Sequence, residues 1–185
     1  MIRSIVLAVA LTGPALADDG CHDLWFARNA IMDQAGYCFG SVLGQTVFDN
    51  AGCIGATVSL TPDADATAAR IRRIEAEQGC RVDTSRPVLD VDVLWIRQQL
   101  VHQPVRDIFE SACLGWLGPV APLHAGHDRS TPVVGQITPG SYVSYAHEPE
   151  GDWSFVTVSG PDWVRVSGGW MDRVSTPEAC QQIAG

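Results

Sequence analysis

The chain contains no lysine: all 12 of its basic residues are arginine, against 21 acidic ones. A basic surface of the kind that holds nucleic acid or anionic lipid is therefore excluded, whereas a basic peptide or protein remains an admissible partner. No apolar run reaches the roughly 20 residues needed to span a bilayer. Cys-x-x-Cys is missing, so a thioredoxin-type redox pair is not expected. No two cysteines stand at the two-to-four-residue spacing of a zinc site. Gly-x-Ser-x-Gly, His-Glu-x-x-His and a glycine-rich phosphate loop are absent too. No cofactor is expected, and binding is a better reading than catalysis.

What is present begins at the N-terminus. Arg3 is the only charge before Asp18, Ile5 to Leu11 is apolar, Gly13-Pro14 breaks the run, and Ala15-Leu16-Ala17 offers a small-x-small cleavage site. This is the pattern of a secretory signal peptide spanning 1–17. Its removal takes one positive charge from a chain whose formal charge is already −9. A periplasmic or secreted monomer is expected.

The remainder divides by composition into a helical part, 18–117, and a β part, 118–185. Leu24, Ala27, Arg28, Ile31 and Ala35 recur at helical spacing, which predicts a first helix over 23–35 stopped by Gly36. A second should follow Ser41 and end near Asn50. The third has the clearest start: Thr61 as N-cap, Pro62 at the first position, and Asp63 and Asp65 at the positive end of the dipole. Gly79 ends it. A fourth helix is predicted over 91–102, with a short continuation through Ile108, Phe109 and Ala112. Beyond it, short strands are predicted over 133–137, 141–146, 153–158, 163–166 and 169–174, separated by Gly and Pro turns. In the third of these, Trp153, Phe155 and Thr157 should face one way and Ser154, Val156 and Val158 the other. Several short strands with tight turns suggest a small barrel. The expected class is α+β: a disulfide-linked helical module followed by a small SH3-like β-barrel and a C-terminal tail.

Six cysteines in an exported chain point to three disulfides, for which counting leaves fifteen pairings. Antiparallel packing of the first two helices would join Cys21 to Cys53. A third helix returning against the second would join Cys38 to Cys80. Cys113 and Cys180 would then tie the ends of the β part.

Two resemblances follow. Arg28-Asn29-x-Ile31, Gly36-Tyr37-x-Phe39, Phe48 and Asn50-Ala-Gly52-Cys53 resemble the YARHG domain of exported bacterial proteins. The Tyr-Ala-Arg-His-Gly string that names that domain is replaced here by Met32-Asp33-Gln34-Ala35-Gly36. The resemblance implies a compartment and a fold element, not a reaction. Pro122-Leu123, Val133-Val134-Gly135-x-Ile137-x-Pro-Gly140-x-Tyr142-Val143, Gly151-Asp-Trp153-x-x-Val156 and Gly169-Trp170 resemble bacterial SH3-like domains. Many of those bind peptidoglycan or its stem peptides. Here Gly169-Trp170-Met171 stands for the usual Gly-Trp-Val ending.

The candidate site residues follow from this. Aromatic residues left outside a small barrel's core would form a peptide- or glycan-binding surface. Tyr145, His147 and Trp163 are the expected ligand-binding residues, with Trp153 and Trp170 in the core. The rival is a metal-dependent hydrolase using His124, His127 and His147, although the first two sit in a predicted loop. A third reading is a secreted inhibitor or toxin-like factor protected by its disulfides. Arg28 is expected to pair with a carboxylate such as Asp49, and Asn29 to bond backbone. Asp90 with Asp92, and Glu75 with Glu77, read as solvated helix faces. The leading expectation is a non-catalytic envelope protein that recognises peptidoglycan or a protein or peptide ligand.

Overall fold

The computed structural model describes residues 19–185, so the expected leader at 1–17 lies outside the described residues. Four helices come first: α1 (Asp19–Gln34), α2 (Val42–Phe48), α3 (Pro62–Glu77) and the single turn α4 (Leu94–Arg97). Seven strands follow: β1 (Arg106–Trp116), β2 (Ala121–His124), β3 (Val133–Ile137), β4 (Tyr142–His147), β5 (Trp153–Ser159), β6 (Arg165–Asp172) and β7 (Cys180–Ala184).

The caps act as the sequence suggests. Ser41 accepts a hydrogen bond from the Gly44 N–H, and Thr61 accepts one from Ala64 ahead of Pro62. α1 is buried along two stripes. Leu24, Ala27 and Ile31 pack on Ala68 and Ile71 of α3, while Trp25, Phe26 and Ala30 pack on Phe39, Leu43 and Phe48. Because α3 rather than α2 runs along α1, two of the expected disulfides are overturned. Cys21 bonds Cys80 at the end of α3, and Cys38 bonds Cys53 across the loop that carries α2. A short backbone ladder closes that loop: Ile54 N–H donates to the Gly36 carbonyl and Cys38 N–H to that of Gly55. Cys113–Cys180 forms as expected.

The strands form one antiparallel sheet in the order β3-β2-β6-β5-β4-β1-β7. It is open, with β3 and β7 as its edges, and this corrects the closed barrel. Strands β1 to β6 all supply one inner core around Trp116, Leu123, Ile137, Val143, Val156 and Met171, so the sheet curls about it. Its outer face carries Phe155 and Trp170, which Val93, Ile96 and Leu100 cover. The alternation expected of β5 therefore holds. Phe155 faces the helical side and Val156 and Val158 face the inner core.

Five further expectations are corrected. The helix over 91–102 shrinks to α4, because Val101 and His102 donate their N–H groups to the Ala125 carbonyl instead of continuing it. The continuation through Ile108 is strand β1, which follows Pro104, and a residue before proline disfavours helical backbone. A boundary at 117/118 would cut β1 from its own sheet. The tail contains β7, which pairs with β1. The strands expected at 163–166 and 169–174 are one strand, β6, and Gly169 at φ +145 lets it pass Leu123, whose Cβ would lie 2.9 Å from an added methyl.

A candidate ligand-binding cleft

Between the helical part and the sheet lies a cleft of about 370 Å³. Asp23 of α1 and the 90–92 segment form one side. β1, β4, Thr157 of β5 and the entry to β6 form the other. Tyr145, His147 and Trp163, the three expected ligand residues, all line it.

They contribute unequally. Trp163 forms the rim at 49% exposure, its ring centroid 5.0 Å from that of Tyr142. The turn that presents it holds Trp163 at φ +63, a left-handed conformation in which a bulky side chain is strained. Trp163 N–H bonds the Gly160 carbonyl, and Val164 N–H bonds Asp162. Tyr145 is not the surface residue expected. Its ring packs with Cys180 on the inner core. Burial first, and then the charge of Glu178, push its hydroxyl pKa up.

His147 is buried, whereas Tyr145 is half-buried. Its Nε2 lies 3.0 Å from Asp23 Oδ2, and Arg97 grips the same carboxylate through Nη1 at 2.7 Å and Nη2 at 3.2 Å. Arg97 lies between the Phe26 and Phe155 rings, 5.3 and 5.2 Å from their centroids. Burial alone would raise the Asp23 pKa, but Arg97 and then His147 hold it well below the usual carboxylate range. For His147, burial lowers the pKa, Asp23 opposes this, and Arg97 and Arg106 reinforce it. The imidazole is therefore neutral at neutral pH. A carboxylate only accepts, so the ring donates through Nε2–H, and its Nδ1 is left with a lone pair.

Charged side chains surround this floor. Arg165 Nε bonds Asp92 Oδ2 at 3.0 Å, and Arg106 pairs with Glu110. Asp90 and Asp92 thus line the cleft rather than a solvated helix face. Arg28 pairs with Glu75, not Asp49, and Asn29 bonds the Trp25 carbonyl, so both serve the helical core. Sequence reasoning missed Asp23, Arg97, Arg106 and Arg165. Arg97 carried a readable signal: it is a single charge among Val93, Leu94, Trp95, Ile96 and Leu100.

The metal-ligand trio does not assemble. His124 sits at the end of β2 with Nδ1 3.1 Å from the Thr131 carbonyl oxygen and its ring against Trp153. His127 stacks on His102, centroids 4.0 Å apart, while His147 is held by Asp23. Among the described residues the one three-ligand grouping is Cys113, Glu178 and Cys180, and its cysteines are bonded to each other. A disulfide offers no thiolate to a metal.

The family model described as "Domain of unknown function (DUF4453)" matches residues 79–185, more than half of the chain. The chain belongs to the DUF4453 family. The YARHG domain model matches residues 3–76, in agreement with the motifs around Arg28 and Gly36. Neither a curated protein nor a solved structure matches. Every residue named in the cleft lies in the DUF4453 stretch except Asp23, which the YARHG-like stretch contributes.

Proposed function

We propose that this DUF4453 protein is an exported, non-catalytic binding protein of the cell envelope whose cleft holds a short peptide. The observation that carries this reading is the cleft. It has an aromatic rim at Trp163, paired charges on its walls, and a neutral imidazole at its floor fixed by Asp23. Such a mixture of one exposed ring and a few oriented polar groups suits a short polar ligand. Three disulfides and a YARHG domain accord with an oxidising compartment outside the cytoplasm. The secretory pattern over 1–17 supports the same placement. The SH3-like pattern over 122–174 favours peptides, the stem peptide of peptidoglycan among them, although the sheet that carries it is open.

The test compares the protein with its Trp163→Ala variant. Saturable retention on purified peptidoglycan, or on immobilised stem peptides, should fall about tenfold or more in the variant, which corresponds to about 1.4 kcal/mol. Equal retention of the two proteins, or none by either, would overturn the proposal.

A further inference from the structure

The charges of the cleft are not balanced. Its two arginines are already engaged, Arg165 by Asp92 and Arg106 by Glu110. Asp23 is satisfied by Arg97 and His147. Asp90 is the carboxylate left over. Its backbone N–H bonds His22 Nδ1, but among the described residues its side chain joins no ion pair. An incoming anion would meet two neutralised guanidinium groups and a free carboxylate. An incoming cation would find that carboxylate uncompensated.

A second, independent feature points the same way. The His147 side chain is only 4% exposed, yet it lines the cleft. Its Nε2 is committed to Asp23, and its Nδ1 has no hydrogen-bond partner among the described residues. Nδ1 is also not among the buried polar atoms sealed from solvent. It is therefore an acceptor reachable by solvent on a residue that lines the cleft. With an acceptor at the floor and a spare carboxylate at the wall, the cleft calls for a donor. A protonated amine supplies three N–H donors on a compact charge. The Trp163 ring at the rim offers such a group a cation–π contact. The acidic balance of the whole chain adds long-range attraction of the same sign.

We propose that the cleft selects a peptide carrying a side-chain ammonium group, with Asp90 and His147 as its recognition residues. This rests on the peptide-cleft reading above.

The test uses the full-length disulfide-bonded protein and three fluorescent peptides identical except at one central residue: lysine, Nε-acetyl-lysine or glutamate. The lysine peptide should bind at least about tenfold more tightly than the acetyl-lysine peptide, a difference of about 1.4 kcal/mol. The preference should shrink at high salt. Asp90→Asn, an exposed substitution, should bring the lysine peptide down toward the acetyl-lysine value. Acetyl-lysine or glutamate peptides binding as tightly as lysine would overturn the charge preference alone. Absence of saturable binding for all three peptides would overturn the cleft reading and the preference with it.

Discussion

Arg97 is the residue on which most of the energetics turns. It is fully buried, and the cost of taking a guanidinium out of water is several kcal/mol. The bidentate grip on Asp23 and the faces of Phe26 and Phe155 offset that cost. Removing one partner leaves the other buried and uncompensated. Arg97→Met should therefore lower stability by about 3–5 kcal/mol, read as a shift in the urea midpoint. His147 gives the same assembly a pH dependence. Its folded pKa is below its unfolded value, so on acidification the unfolded chain takes up the proton first. Stability is full above about pH 6.5 and is lost as pH falls below it, until the folded value is reached. The lowered Asp23 pKa acts later in the same direction, removing stability below the ordinary carboxylate range. His102 is also shifted down, chiefly by burial, and shares the upper window. His147→Gln keeps a donor for Asp23 but cannot titrate. Urea midpoints measured from about pH 7 to about pH 5 should thus show a shallower, non-zero slope in the variant. An unchanged slope would mean that His147 does not titrate differently in the two states.

At the scale of elements, local signals were legible wherever they were self-sufficient. Thr61-Pro62-Asp63 starts α3 with no help from the rest of the chain, β5 declares itself by alternation, and β3 and β4 do so by their flanking turns. The failures share a physical cause. Val93, Ile96 and Leu100 sit at helical spacing, but the same side chains can cover a sheet from a single turn, and the Ala125 carbonyl claims the next N–H groups. Ile108 and Phe109 suit a strand as well as a helix. Between the Arg106–His147 and Ser111–Tyr145 pairs β1 takes more steps than β4, and it loops out there, leaving these two side chains 72% and 75% exposed. Replacing both with serine should change stability by no more than about 0.5 kcal/mol per site, measured by chemical denaturation. The cysteine pairing was misread because it depends on which helix lies beside α1, a tertiary fact. Cys38 and Cys53 close a span of only 15 residues, and Cys38→Ser with Cys53→Ser should cost about 3 kcal/mol. The candidate cleft was half legible: three aromatic or imidazole side chains were named from the β part. Their charged partners come from α1, the 90–92 segment and β1, which no local pattern links to β4.

At the scale of the whole molecule, the two family matches meet between residues 76 and 79, but the packing ignores that seam. Val105 belongs to the α1–α3 core, Arg70 of α3 bonds Glu148, and Asp23 and Phe26 of α1 enclose Arg97 together with Phe155 of β5. Cys21–Cys80 carries the N-terminal stretch across the seam as a covalent bond. A chain starting at residue 79 would expose Val105 and leave Arg97 without its carboxylate, a penalty of the order that unfolds a marginally stable domain. The helices and the sheet should therefore unfold together. Far-ultraviolet circular dichroism, which follows mainly the helices, and tryptophan fluorescence, to which buried Trp116 and Trp170 of the sheet contribute, should give coincident urea transitions in the oxidised protein. Arg97→Met should shift both by the same amount, because the side chain belongs to neither part alone. Separation of the two curves, or a shift confined to one, would show two units that fold independently and would leave the cleft between them without a fixed shape.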